Sequence, residues 1–202
     1  MKSRFWARLS AGLAILQILL ILVSWIISSA SPQTTVRSLL SSEGIRWFMG
    51  RYAENLATPF LVWMILLSIA GGILYVSGLY ETVRDVLHLK TIPYRKRFAI
   101  VITTIILLIA VAVIAYLTCT PHAVLLSATG SLFPSSFARA LIPIIAFIVM
   151  ILSLVFGSLS GRFASWQQAF DAMAIGIRYV LPLWVVYVFA AQLICSFLYV
   201  WN

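Results

Sequence analysis

Five long uncharged runs of mainly apolar residues constrain the fold of this chain more than any other feature. The runs are Leu9–Val36, Asn55–Tyr80, Phe98–Thr118, Ala140–Gly161 and Tyr179–Asn202. A helix needs about 20 mainly apolar residues to cross the hydrocarbon of a bilayer. Helices are expected because lipid offers backbone groups no partner outside a closed barrel, and the runs lack the polar alternation of barrel strands.

The composition excludes a water-soluble domain. The chain has 202 residues, of which 63% are hydrophobic and 9% are charged, whereas a soluble domain carries about 25% charged residues. We therefore predict an all-α integral membrane protein that forms a single membrane domain, residues 1–202. The five spans are expected at about residues 10–30, 57–80, 98–118, 140–160 and 179–201.

The first run has one alternative interpretation, a cleaved signal peptide. Lys2, Arg4 and Arg8 form a basic beginning, and the segment Ser28–Ala30 resembles a small-residue cleavage site. Against cleavage, the apolar core is longer than the usual 7–15 residues of a signal peptide. We expect an uncleaved helix.

The basic residues indicate topology rather than nucleic-acid binding. The net charge is +9, but most basic residues flank the apolar runs, so no nucleic-acid partner is expected. If five helices alternate, one side of the membrane carries Lys2, Arg4, Arg8, Arg84, Lys90, Arg95, Lys96, Arg97, Arg162 and Arg178. The other side carries Arg37, Arg46, Arg51 and Arg139. Since cytoplasmic loops are rich in Lys and Arg, we predict a bacterial inner (cytoplasmic) membrane protein with its N-terminus cytoplasmic and its C-terminus outside.

A short amphipathic helix is predicted on the outer side, at about residues 42–55. One of its faces carries Ile45, Phe48, Met49, Tyr52 and Leu56, and the other carries Glu43, Arg46, Arg51 and Glu54. Glu43 with Arg46, and Arg51 with Glu54, have the spacing of ion pairs on a helix. We interpret this helix as an interfacial anchor, with an outer cap that contacts a ligand as the alternative. Pro59 is expected in the first turn of the following span.

The spans contain polar but no acidic side chains. The five acidic residues are Glu43, Glu54, Glu81, Asp85 and Asp171, and the polar residues within spans are Gln17, Ser68, Thr103, Thr104, Ser153, Gln192, Cys195 and Ser196. An ion-coupled transporter usually carries an ionisable residue at membrane depth. Hydroxyls and amides commonly join helices. Gln192, near the middle of the fifth span, is the polar intramembrane candidate.

Two local constellations contain residue types that can carry chemistry. Glu81, Asp85 and His88 share one helical face and could hold a metal, although a solvated face beside the membrane explains them better. Cys119 and His122 lack the third orienting group and the oxyanion site that a nucleophile needs. We predict no enzyme and no catalytic, metal-binding or cofactor-binding residue.

Small residues at four-residue spacing predict close helix packing. Ser68 and Gly72 form one such pair, and Ser153, Gly157 and Gly161 form a longer stripe. Small residues let helix backbones approach closely. The spacing leaves open whether the contact is within one chain or between copies.

Two further segments lie outside the spans. Residues 120–138 are uncharged but contain Pro121, Gly130 and Pro134, which predicts an apolar outer loop. Residues 163–178 predict a cytoplasmic helix that leads into the fifth span, which Pro182 is expected to kink.

Four stretches of the sequence resemble parts of one known family of membrane proteins. LLSSEGIRW at residues 39–47, followed by an apolar helix that ends in VSGL at residues 76–79, is similar to the N-terminal part of that family. ALIPIIAFIVMILSLVFGSLSG at residues 140–161 and DAMAIGIRYVLPLWVVYVFAAQLICSF at residues 171–197 are similar to two successive helices in its middle. TPHAVLLSATGSLFPS at residues 120–135 resembles the loop before the first of these. The family that these stretches resemble is the p-aminobenzoyl-glutamate transporter (AbgT-type) family.

The resemblance implies the dimerisation frame of a larger fold. The family fold has nine spanning helices and two re-entrant hairpins in a dimer, in which a frame supports a transport domain. This chain passes from the family's second helix, near Leu79, to its fifth, near Phe98, and ends after the seventh at Asn202. The hairpins, the helices after the first hairpin and the final helices have no counterpart, so no binding residue is carried over.

Two functions remain open at this point. In the first, the chain is the scaffold component of a transporter in the lipid bilayer, a homodimer that works with a separate transport-domain subunit and does not transport alone, or a degenerate relative. In the second, it is a small membrane interaction or regulatory protein that has lost transport. Neither function calls for a cofactor.

Overall fold

The computed structural model describes residues 2–31, 35–119 and 136–202. These residues form helices and short connections, with no strand among them. In chain order the helices are α1 (Lys2–Ala30), α2 (Ser42–Gly50), α3 (Tyr52–Leu56), α4 (Pro59–Ser77), α5 (Leu79–Leu87), α6 (Tyr94–Cys119), α7 (Ser136–Ser160) and α8 (Trp166–Trp201). The prediction of an all-α protein is confirmed.

Five of the described helices are long and apolar enough to cross a membrane. They are α1, α4, α6, α7 and α8, as the uncharged runs predict. Helix α6 exposes Ile105, Leu108 and Val111, which suits a helix with one side in hydrocarbon. Most of the predicted loop at residues 120–138 lies outside the described residues, and α7 begins at Ser136, before the predicted span.

Helix α8 combines two segments that the sequence predicts separately. It has 36 residues and is therefore about 54 Å long, whereas the hydrocarbon is about 30 Å thick. The predicted helix before the fifth span and the fifth span itself are one helix, which continues through Pro182. A proline inside a helix removes one backbone hydrogen bond and tends to kink the helix, yet α8 continues through Pro182. The expected kink stays a prediction.

The predicted amphipathic helix is divided at Arg51 into α2 and α3. Arg51 has φ −101° and ψ 8°, and it separates the two helices. Ser41 caps α2, since its side chain accepts a hydrogen bond from the backbone N–H of Gly44. Arg51 and Glu54 form the predicted ion pair at 3.7 Å, and no ion pair joins the described side chains of Glu43 and Arg46.

The exposed residues of these two helices match an interfacial position. Ile45, Met49 and Tyr52 are exposed apolar or aromatic side chains, which is the arrangement of a helix that lies in the membrane surface. The following helix α4 begins at Pro59, as predicted. Proline costs little at this position, because backbone N–H groups in the first turn have no partner within the helix.

The chain divides into two compact units. The terminal unit comprises Met1–Leu61 and Val180–Asn202, and the central unit comprises Val62–Tyr179. Helices α4 and α8 contribute residues to both units. The prediction of a single membrane domain stays a prediction.

The terminal unit has a core at the end of α8. Leu39, Tyr199 and Val200 are buried there, and Trp47 stacks on Tyr199 with 4.3 Å between ring centroids. The backbone N–H of Arg37 donates to the carbonyl of Val200 at 3.0 Å, which satisfies one of the carbonyl groups that a helix end leaves free.

The central unit has two buried apolar clusters. One contains Ile73, Phe163, Ala169 and Ala172, and the other contains Leu79, Ala99, Leu152 and Phe156. Ala169 and Ala172 let the first half of α8 approach α4 closely, and Ala99 of α6 packs against α7 in the second cluster. The clusters therefore position the small-residue stripes that the sequence singles out.

Candidate functional site

The polar residues of the terminal unit converge on one side of α8. Gln192 is 4% exposed and Ser196 is fully buried, and the two residues are one helical turn apart. Gln192 is the polar residue that the sequence singles out within the fifth span. Gln192 has its hydrogen-bond partner in α3, and Ser196 has its partner in α1.

Asn55, in α3, is the hydrogen-bond partner of Gln192. The side-chain Nδ2 of Asn55 donates to Oε1 of Gln192 at 3.2 Å. The thiol of Cys195 donates to the backbone carbonyl of Asn55 at 4.0 Å. These contacts fix the end of α3 against α8.

Two more polar contacts tie the beginning of α4 and the middle of α1 to α8. The hydroxyl of Tyr187 donates to the carbonyl of Leu56 at 2.7 Å and lies 2.6 Å from the hydroxyl of Thr58. The side-chain Nε2 of Gln17 donates to Oγ of Ser196 at 3.0 Å. Since apolar contact between helices is no more favourable than contact with lipid, such hydrogen bonds give helix pairing its specificity.

The cluster retains unused hydrogen-bonding capacity. Gln17 Oε1, an acceptor, and Gln192 Nε2, a donor, are buried and have no partner among the described residues. A buried polar atom without a partner costs about 1–3 kcal/mol.

The amides and aliphatic hydroxyls of the cluster offer neutral hydrogen bonding. They neither take up a proton near pH 7 nor carry a charge. These groups can therefore join helices and orient a polar group.

The predicted pair Ser68 and Gly72 faces α8 within the central unit. A Cβ atom on Gly72 would lie 2.5 Å from the backbone nitrogen of Gly176 and 2.7 Å from the carbonyl oxygen of Ala172. A Cβ atom on Gly176 would collide with the carbonyl oxygen of Ser68. The described contacts of this pair are thus made within one chain.

Sequence reasoning missed Gly176, the partner of Gly72. A signal was present, since Ala172 and Gly176 have the same four-residue spacing as Ser68 and Gly72. The sequence predicts a cytoplasmic helix for this segment, where small-residue packing is not expected.

The second stripe also makes its described contacts within the central unit. Ser153 is fully buried, and its Oγ atom has no hydrogen-bond partner among the described residues. A Cβ atom on Gly157 would collide with the ring of Phe163. Gly161 has φ +82°, the left-handed conformation in which glycine ends a helix, and a Cβ there would lie 2.7 Å from the guanidinium carbon of Arg95.

The structure describes one of the two constellations of potentially reactive side chains. Glu81 accepts a hydrogen bond from Arg162 at 3.3 Å and Asp85 pairs with Lys90 at 3.2 Å, so each carboxylate already has a basic partner. No group of three or more potential metal ligands occurs in the described part of the chain. The Cys119 side chain and His122 lie outside the described residues.

Comparisons with known proteins agree with the resemblance in the sequence. A model of the AbgT putative transporter family matches residues 80–201. The chain is similar in fold to the YdaH transporter of Alcanivorax borkumensis, whose crystal structure is described as having an unusual topology. The TM-score is 0.73, the sequence identity is 16%, and the match covers 94% of this chain and 70% of that chain. No curated protein matches the chain.

The two matches support each other, because the structural likeness extends over both units while the family model covers α8, α7, α6 and most of α5. The chain is therefore a transporter-like membrane protein. Because the family model matches more than half of its residues, the chain belongs to the AbgT transporter family.

Proposed function

We propose that this chain is a scaffold component of an AbgT-type transporter and does not drive ion-coupled uptake by itself. The connection between α4 and α6 is the observation that carries the proposal. Residues 78–93 form this connection, and its helix α5 has nine residues. Two spanning helices alone need about 40 mainly apolar residues. The hairpin and helices that the resemblance places there therefore cannot be accommodated.

The positions of the acidic residues support the same proposal. Glu43 and Glu54 lie in the short helices α2 and α3, and Glu81 and Asp85 lie in α5. Asp171 is exposed in the first part of α8, ahead of the uncharged run that begins at Tyr179. Ion-coupled transport usually relies on an ionisable group at membrane depth. The buried amide and hydroxyl that α8 carries at Gln192 and Ser196 are neutral.

The assembly and orientation belong to the same proposal. The scaffold forms a homodimer in a bacterial cytoplasmic membrane and binds a separately encoded subunit that carries the transport domain. The connection from α5 to α6 carries Arg84, Lys90, Arg95, Lys96 and Arg97. Since basic residues accumulate on the cytoplasmic side, this connection and the N-terminus are cytoplasmic and the C-terminus is outside.

Reconstitution in liposomes tests the proposal. The purified chain, given a proton or sodium gradient, is expected to show no uptake of a p-aminobenzoyl-glutamate-like solute. A liposome sample with an unrelated ion-coupled transporter shows that the gradient persists. Saturable accumulation that depends on the gradient would contradict the proposal.

Native complexes distinguish the scaffold from its alternative. Extraction in mild detergent is expected to recover the chain with a second membrane subunit that contains re-entrant hairpins and further spanning helices. Recovery of the chain without such a subunit would favour a small membrane interaction or regulatory protein that has lost transport.

A further inference from the structure

A polar cleft and an apolar groove adjoin each other in the terminal unit. The cleft has a volume of about 440 Å³ and is lined by Arg37, Glu43 and Arg51. The groove has a volume of about 450 Å³ and lies between α1 and α8. Leu198 lines both. We propose that the terminal unit binds one phospholipid with a phosphate and an ammonium group in its head, the head group in the cleft and an acyl chain in the groove.

The two arginines provide the phosphate site. The guanidinium group of Arg37 lies 5.7 Å from the ring centroid of Tyr199, and it forms no ion pair with a described carboxylate. Arg51 pairs with Glu54 at 3.7 Å, with both side chains largely exposed, so this pair holds Arg51 only weakly. Guanidinium groups bind phosphate oxygens through paired hydrogen bonds, and both arginines are available to do so.

Glu43 selects among the phospholipid head groups. Its carboxylate lines the same cleft as the two arginines and forms no ion pair with a described basic side chain. An ammonium group would pair with this carboxylate, whereas a purely anionic head group would leave it unpaired or be repelled by it. Two cationic groups and one anionic group therefore complement the head of phosphatidylethanolamine better than that of phosphatidylglycerol.

Aromatic side chains place the cleft at the membrane surface. Trp47 stacks on Tyr199, and Trp201 stacks on Phe197 with 4.5 Å between ring centroids. Tryptophan and tyrosine concentrate at the boundary between head groups and hydrocarbon. The cleft therefore lies at the depth of lipid phosphates, and no movement of the lipid out of the bilayer is needed to fill it.

The groove has the chemistry and length for part of an acyl chain. Its walls include Leu16, Leu20 and Val23 of α1 and Ile194 and Phe197 of α8. From Leu16 to Val23 the helix rises by about 10 Å, roughly a third of the hydrocarbon thickness. A chain in this groove would cover apolar side chains on both helices while its head group reaches the arginines past Leu198.

Native mass spectrometry of the detergent-solubilised chain tests the proposal. Delipidated protein is titrated with phosphatidylethanolamine, phosphatidylglycerol and inorganic phosphate in separate series. We expect one phosphatidylethanolamine per chain, weaker binding of phosphatidylglycerol and no competition by phosphate alone. Arg37→Gln is expected to weaken binding of phosphatidylethanolamine about tenfold, since it removes a charged hydrogen-bond donor.

Three further variants separate the site from general lipid contact. Arg46→Gln is the matched control, because Arg46 is an exposed arginine of α2 that does not line the cleft, and it should bind like the wild type. Glu43→Gln should abolish the preference for phosphatidylethanolamine. Ile194→Trp should fill the groove and weaken binding while leaving the charges in place.

The test can overturn the proposal in several ways. Arg37→Gln keeps the backbone hydrogen bond to Val200, and its lipid-free thermal melt is measured beside that of the wild type to exclude misfolding. Equal losses in Arg37→Gln and Arg46→Gln, no loss in either Arg37→Gln or Ile194→Trp, or displacement by inorganic phosphate would each rule out the lipid site.

Discussion

Gly72 of α4 and Gly176 of α8 lie so close that neither could carry a side chain without displacement of backbone. A Cβ atom on Gly72 would lie 2.6 Å from the Cα atom of Gly176. Main-chain atoms cannot turn aside as a flexible side chain can. The close contact therefore requires glycine at both positions. It determines how α4 and the first half of α8 pack within the central unit.

We predict that Gly72→Ala destabilises the protein while Gly71→Ala does not. Apart from its own stretch of helix, the neighbouring Gly71 has no described atom within 4 Å of the place where its Cβ would be, so alanine there should be neutral or slightly stabilising through its higher helix propensity. Alanine at Gly72 must separate the two backbones, and overpacking of this kind costs about 1–3 kcal/mol.

Thermal melts of the two alanine variants in the same detergent check this prediction. Both variants make the same chemical change at adjacent positions of one helix, so a difference in melting temperature reports the contact with Gly176. Equal melting temperatures for Gly71→Ala and Gly72→Ala would show that α4 and α8 do not pack as described.

The spans could be predicted from the sequence, whereas the partners of their residues could not. Length and lack of charge are local properties, and so the runs predict five spanning helices and Pro59 marks the start of α4. Asn55 and Gln192 are 137 residues apart, and nothing local indicates which polar groups meet. The break at Arg51 and the continuity of α8 through Pro182 likewise depend on tertiary packing, which overrides local preference.

A second prediction concerns Gly157, which lies against the ring of Phe163. Gly157→Leu should lower the melting temperature without changing the number of chains in the detergent-solubilised assembly, because the described contact is within one chain. Replacing Phe163 by leucine in the same chain should restore part of the lost stability, since it makes room for the new side chain.

The mass of the detergent-solubilised assembly and the melting temperature, measured for the wild type and the Gly157→Leu variant, check this prediction. A dimeric wild type with a folded, monomeric variant would instead show that the stripe of Ser153, Gly157 and Gly161 lies between copies. A wild type that is monomeric at every concentration and in lipid nanodiscs would rule out the dimeric scaffold.

A third prediction concerns topology. A fluorescent protein fused after Lys90 should fluoresce, since the basic connection between α5 and α6 is expected in the cytoplasm. Alkaline phosphatase fused after Asn202 should be active, since it requires an oxidising compartment. Each reporter is also placed at the other position as a control, and a fluorescent fusion at Asn202 would overturn the orientation.

The last prediction is an asymmetry between the two partners Asn55 and Gln192. Asn55→Leu removes the donor to Gln192 Oε1 and leaves a buried amide whose Nε2 already has no partner among the described residues. The expected cost is about 1–3 kcal/mol. Gln192→Met removes the buried amide itself and leaves Asn55, which is half-buried near the start of a span, able to bond to water.

Gln192→Met should therefore be nearly neutral, and in its background Asn55→Leu should cost less than it does in the wild type. Thermal melts of the two single variants and the double variant give this coupling. If Gln192→Met instead lowers the melting temperature more than Asn55→Leu does, the Nε2 donor of Gln192 has a further partner. The cluster would then have a role besides joining helices.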